Sequence, residues 1–211
     1  MRHPLLSLAA LLGLAGSAGA HPHVFVDATA GFRLDGEGRL ASLRITWTYD
    51  AFTTLLMFDQ LDLDPDGDGA LDDADRAAIV AGETDWPPEY DGDVHLDLGG
   101  APVPMGRPRD GVAWTEDDRI SVAFELPLAA PLADPGGARL RLCDPSYYYS
   151  YKVVALEEDG PGACTPILSP FEPDEAAAAM QRMLAQLSRE ETPLQENVGA
   201  LFADDVMLSC A

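Results

Sequence analysis

The chain has 211 residues, 36 of them acidic and 13 basic, giving a formal net charge of -23. Such a field repels nucleic-acid phosphates and anionic lipid surfaces, which excludes both as partners, and it draws cations toward any acidic cleft. Hydrophobic residues make up 47% of the chain, enough for the core of one ordinary domain. In chain order, residues 1–20 read as a signal peptide. Arg2 supplies a positive start, residues 5–14 an apolar run, and Ala18-Gly19-Ala20 a cleavage site. The run is too short to span a bilayer in place, and no cysteine adjoins the cleavage site. The mature chain is therefore expected to be a single periplasmic domain over residues 21–211 that begins at His21. No later stretch is long and apolar enough to cross a membrane.

Val24, Val26, Ala28, Ala30, Phe32 and Leu34 alternate with other residues, which predicts a half-buried strand. A turn over residues 35–38 leads to a second alternation at Leu43, Ile45, Trp47 and Tyr49, and the two predict a β-hairpin. From Phe52 the period changes. Phe52, Leu55 and Leu56 fall on one face of a short helix, and a second helix over residues 72–81 has Ala77, Val80 and Ala81 as its apolar side.

Between these helices, residues 64–75 read as a calcium loop of the EF-hand type. Asp64, Asp66 and Asp68 stand at loop positions 1, 3 and 5, with Gly69 at the sharp turn. Ala70 offers its backbone carbonyl at position 7, Asp72 acts at position 9 directly or through water, and Asp75 closes the loop at position 12. Calcium is a hard cation that takes six to eight oxygens, and this spacing brings them to one point. A register starting at Asp62 also puts a glycine, Gly67, at position 6, but it places Gly69 at the apolar position. Position 12 is Asp rather than Glu; its shorter arm weakens bidentate capture or tilts the site toward magnesium. The alternative is an acidic turn without an ion. Only one such loop occurs, whereas EF-hands usually pair, so the insertion at 51–82 is expected to pack on the sheet.

Further strands are predicted around Val94, Leu96 and Leu98, at Val103 and Met105, at Val112 and Trp114, at Ile120 to Leu126, at Leu140 and Leu142, at Val153 and Ala155, and at Val206, Leu208 and Cys210. Residues 127–137 read as a Pro/Ala/Gly linker and residues 159–170 as a loop. Residues 174–189 carry Met180, Met183, Leu184 and Leu187 at helical spacing after a run of alanines. The whole predicts a mainly β fold, an antiparallel sandwich or rolled sheet, with an EF-hand-like helix-loop-helix and a C-terminal helix.

Three cysteines, Cys143, Cys164 and Cys210, allow three single pairings. An exported compartment permits a bridge. Pairing Cys164 with Cys210 would hold a terminus that otherwise frays, and Cys143, in an apolar run, fits burial.

The mature terminus is the second notable feature. His21 would offer its α-amine and its imidazole together, and His23 adds another ring. Such nitrogen donors suit zinc, copper, nickel and cobalt. Pro22 has no N–H, so a square-planar amide chelate is blocked there. His95 is the only other histidine of the mature chain, and Asp50 and Asp144 are acids that can complete a site. The alternative is that His21 and His23 are polar residues at a chain end. No nucleophile–base motif and no phosphate loop occurs, so no enzyme activity is expected.

His21-Pro22-His23-Val24-Phe25-Val26-Asp27-Ala28, Thr46-Trp47-Thr48-Tyr49-Asp50, Asp144-Pro145-Ser146-Tyr147-Tyr148 and Gly199-Ala200-Leu201-Phe202-Ala203 with Cys210 resemble one bacterial family. That family of unknown-function domains is described as the periplasmic component of an uncharacterised ABC-type transport system, and its members often accompany a nickel/cobalt-type permease. The resemblance spans nearly the whole mature chain. It implies a protein that binds zinc, nickel or cobalt and works with an inner-membrane metal permease, with His21 and His23 at matching motif positions. Cys143 stands outside the family's pattern, which supports the Cys164–Cys210 pairing. Two other functions remain as expectations: a copper-dependent oxidase or oxygenase using the His21 chelate, and a calcium-stabilised interaction module without a transition metal.

Overall fold

The computed structural model describes residues 21–68, 70–157, 164–188 and 191–210; the expected signal peptide and Gly69 lie outside the described residues. Two five-stranded sheets face each other. One runs β5 (Arg109–Glu116), β6 (Arg119–Leu132), β2 (Leu40–Tyr49), β1 (Val24–Leu34), β8 (Tyr149–Glu157). The other runs β4 (Ala101–Pro102), β3 (Val94–Leu98), β7 (Ala138–Leu142), β10 (Asp205–Cys210), β9 (Cys164–Ser169). The protein is thus mainly β, a sandwich whose strands pair antiparallel except for β1 with β8. No helix among the described residues is long and apolar enough to cross a membrane.

β1 lies between β2 and the edge strand β8, and its inward residues suit that place. Val24, Val26, Ala28, Ala30 and Phe32 are buried, in the alternation expected of them. Ala28 lies between Trp47 of β2 and Val153 of β8, and Val26 between Tyr49 and Tyr151. Small residues in β1 leave room above them for large aromatic ones on its two neighbours, β2 and β8. This local pattern creates the aromatic end of the sandwich described below.

The helical insertion packs on the sheet through different faces from those expected. In α1 (Ala51–Gln60) the buried residues are Thr53 and Thr54, whereas Phe52 is 66% and Leu55 68% exposed. The cause is polar docking. Asp50 caps the helix by accepting from the N–H groups of Phe52 and Thr53, and Thr54 Oγ1 accepts from the buried Ile120 N–H at 3.1 Å. The rotation that satisfies this buried backbone N–H leaves Phe52 and Leu55 in water. In α2 (Asp73–Thr84) the buried pair is Asp75 and Ile79; Ala77 and Ala81 are exposed, and only Val80 of the expected side is partly covered. α2 lies so close to β5 that a Cβ on Gly111 would come 2.5 Å from Val80 Cγ1.

Three other boundaries differ. The expected linker at 127–137 begins as strand: β6 runs to Leu132, because Gly106 N–H donates to Pro127 O and Ala129 N–H to Pro104 O. Prolines are tolerated there because this stretch spans the register shift of β6 against β2, between Leu40 and Ser42. The expected loop at 159–170 contains β9, which pairs with β10 and is joined to it by the Cys164–Cys210 disulfide. The C-terminal helix α3 (Glu175–Leu184) is shorter than expected and packs Ala177 and Leu184 against Tyr147, Val198 and Phe202, a small core separate from the main one. Cys143 is buried, and burial pushes its thiol up to about 11.

Candidate functional site

The acidic loop brings three carboxylates together. Asp64, Asp66 and Asp68 each present an oxygen within 4.8 Å of the others. Leu63 and Leu71, both buried, anchor the ends of the loop. Asp68 N–H donates to Asp64 Oδ1 at 3.0 Å and Ala70 N–H to Asp68 Oδ1 at 2.9 Å, which curls the chain around the cluster. Asp66 is pushed above its usual range by its hydrogen bond with Asp64 and by the charge of Asp68. Asp72 and Asp75 form a reciprocal capping box at the start of α2: Asp75 N–H donates to Asp72 Oδ1 and Asp72 N–H to Asp75 Oδ2. They thus join the loop to the helix, with one oxygen of each held by the cap.

At the far end of β1, His21 and His23 stand with ring centroids 4.9 Å apart, and the His23 ring lies 4.6 Å from that of Tyr148. His23 N–H donates to Tyr148 O at 2.8 Å. Tyr148 is placed by Asp144, whose carboxylate accepts from the N–H groups of Ser146, Tyr148 and Tyr149 and from the Ser146 hydroxyl. The turn is pinned from behind: a Cβ on Gly199 would fall 1.9 Å from Asp144 O, and Tyr147 stacks on Phe202 at 4.4 Å. His21 Nδ1 is buried with no hydrogen-bond partner among the described residues. Two imidazoles on one short segment, one with an unengaged buried nitrogen, fit the donor set of a borderline-soft divalent metal.

The acids expected beside these histidines have other roles. Asp144 holds its own turn. Asp50 accepts from Phe25 N–H, from Phe52 and Thr53 N–H and from the Thr53 hydroxyl. Burial alone would raise Asp50, but these donors outweigh it and hold its carboxyl below the usual range. His95 does not line the same cleft as Tyr148. Its Nε2 donates to Cys143 O at 3.0 Å and its Nδ1 lies 3.6 Å from Asp91, in a cavity of about 550 Å³ where Arg139 pairs with Asp97. His95 is thus engaged by Cys143 and Asp91, not by the segment that carries His21 and His23.

Tyr148 also forms one wall of a second cleft, of about 480 Å³, at the same end of the sandwich. Sequence reasoning missed it. Trp47 comes from β2, Glu83 from the last turn of α2, Trp86 and Tyr90 from the segment before β3, and Tyr149 from the start of β8. Tyr49 donates to Glu83 at 2.5 Å, and Tyr151 and Tyr90 donate to Asp93 at 2.8 and 3.1 Å. Burial raises Glu83 above its usual range and lifts Asp93 to about 6. The one sequence signal was the Trp86-Pro87-Pro88 segment followed by Tyr90 and Gly92. Gly92 has φ +72, and a Cβ there would meet the Trp86 ring at 2.0 Å.

No curated protein and no solved structure matches the chain. Residues 6–210 match a family described as "Protein of unknown function (DUF1007)", and the chain belongs to that family.

Proposed function

We propose that the protein is an exported, periplasmic divalent-metal-binding protein, not an enzyme, that passes zinc, nickel or cobalt to an inner-membrane permease. The observation that carries this reading is the pairing of His21 and His23 at 4.9 Å against Tyr148, with His21 Nδ1 buried and unengaged. Nitrogen donors of this kind favour such metals over calcium and magnesium. Signal-peptide cleavage after Ala20 would add the α-amine of His21 to the donor set. The Cys164–Cys210 disulfide agrees with an oxidising compartment. In the same reading the Asp64, Asp66, Asp68 cluster, with Ala70, Asp72 and Asp75, is a calcium site that orders the helical insertion; its ligands are all oxygen, as that hard cation prefers.

Equilibrium titration of the processed protein tests the proposal. Zinc, nickel or cobalt should bind at least about tenfold more tightly to the wild type than to the His21→Ala/His23→Ala variant, in keeping with the loss of inner ligands. Equal affinities for all three metals would refute it.

A further inference from the structure

The second cleft has a chemistry that the metal reading does not use. Its walls are aromatic: Trp47 and Trp86 stack with centroids 6.3 Å apart, Trp86 meets Tyr90 edge-on at 5.6 Å, and Tyr148 and Tyr149 lie 5.5 Å apart. Its acids are Glu83, Asp85, Asp93 and Asp144, and among the described residues no Lys, Arg or His lines it. Each wall is fixed in advance. Trp86 Nε1 donates to Glu83 O at 2.6 Å, and Gly92 lets the ring lie against the backbone. Trp47 is 3% exposed, and its indole N–H has no acceptor among the described residues. A buried donor left unsatisfied is costly, so its counterpart is expected on whatever fills the cleft.

We propose that this cleft binds a small organic ammonium ion that also carries a neutral oxygen, as an amino alcohol does. The positive group follows from aromatic faces next to buried carboxylates with no competing base. A bare metal ion fits less well: among the described residues only Asp64, Asp66 and Asp68 bring three metal-type donors within 4.8 Å of one another. An anion finds no basic side chain. The oxygen follows from the Trp47 N–H, and it is neutral because a carboxylate would face Glu83 and Asp93. A volume of about 480 Å³ admits a ligand of this size with room for water.

Tryptophan emission reports on the cleft, since Trp47 and Trp86 line it and Trp114 does not. In the full processed chain, choline and ethanolamine should each give a saturable change. Choline should bind about tenfold more tightly than its uncharged isostere, in which carbon replaces the nitrogen. Trp47→Phe keeps a ring and removes the N–H; it should weaken choline by about fivefold and leave tetramethylammonium, which has no oxygen, unchanged. Equal binding of choline and the isostere, or no saturable change with either amine at millimolar concentration, overturns the proposal in the unmodified protein. Equal weakening of choline and tetramethylammonium by Trp47→Phe overturns the role of the indole N–H.

Discussion

The acidic loop and the aromatic cleft treat the same side chain in opposite ways. In the loop, Asp66 and Asp68 are exposed and Asp64 half-buried, and the strain is mutual: three carboxylates crowd one point. In the cleft, Glu83 and Asp93 are held apart and dry, and tyrosine hydroxyls donate to each. The first arrangement is relieved by a cation at the shared point or by a proton on Asp66. The second is relieved by a proton, a hydrogen bond or a cation near either acid. The loop should therefore respond to divalent ions, and the cleft to pH and to organic cations.

The largest effect should come from breaking the cleft alone. Gly92→Ala places a Cβ in the Trp86 ring and holds an alanine at φ +72. Overpacking and left-handed strain together should cost about 3 kcal/mol. Urea denaturation of the variant should show that loss, with tryptophan emission shifted because Trp86 must move. The response of the loop to calcium should survive. If stability stays at the wild-type level, the Trp86–Gly92 contact does not set the wall of the cleft.

How much of this was legible beforehand follows the same division. The loop's acidic cluster was legible because its carboxylates are local: Asp64, Asp66 and Asp68 lie within five residues, and spacing alone brings them together. The β1 alternation and the sandwich class were legible for the same reason, as period 2 is a short-range signal. The cleft was not, because Trp47, Glu83, Asp93 and Tyr149 come from four elements and meet only once β1 and β8 pair in parallel. Hydrophobic spacing alone points to the wrong face of α1. The fold instead rotates the helix so that Thr54 meets Ile120 N–H, and Phe52 and Leu55 are left in water. Asp50 and Asp144 looked like spare ligands in sequence. Whether a carboxylate is already occupied by backbone N–H groups depends on turns that sequence does not display.

The loop gives the next test. Calcium at about a hundredfold excess over its Kd should raise wild-type stability by about 2.7 kcal/mol, through binding to the folded state alone. Asp66→Asn removes one of the three clustered carboxylates and should lose most of that response, while relieving repulsion in the ion-free protein. The apo variant should thus be no less stable than apo wild type, and calcium should reverse the order. Thermal unfolding with calcium and with a chelator checks both. An equal calcium response in the two proteins would mean that the cluster is an acidic turn without an ion.

The smallest effect concerns Asp93, which separates the cleft from the loop by pH. The residue is 4% exposed, and burial is the main cause of its rise to about 6, reinforced by Asp144 and Asp91 and opposed by the Tyr151 and Tyr90 hydroxyls. The folded state holds this proton more tightly than the unfolded chain, where a carboxyl titrates near 3.9. The neutral form therefore contributes stability that is fully present below about pH 4 and is lost as pH rises through about 6. That interval corresponds to about 3 kcal/mol as an upper limit. Asp93→Asn is permanently neutral, can still accept from both tyrosines, and tolerates the left-handed backbone at φ 56. Relative to wild type it should gain about 2 kcal/mol between pH 4 and pH 7, the remainder of the interval falling below pH 4, where the unfolded carboxyl is already titrating. The titration of every other group cancels in that difference, so denaturation of both proteins across the interval isolates the carboxyl. A difference that does not change with pH would show that Asp93 titrates as an ordinary surface acid and that the cleft is wetter than its aromatic walls imply.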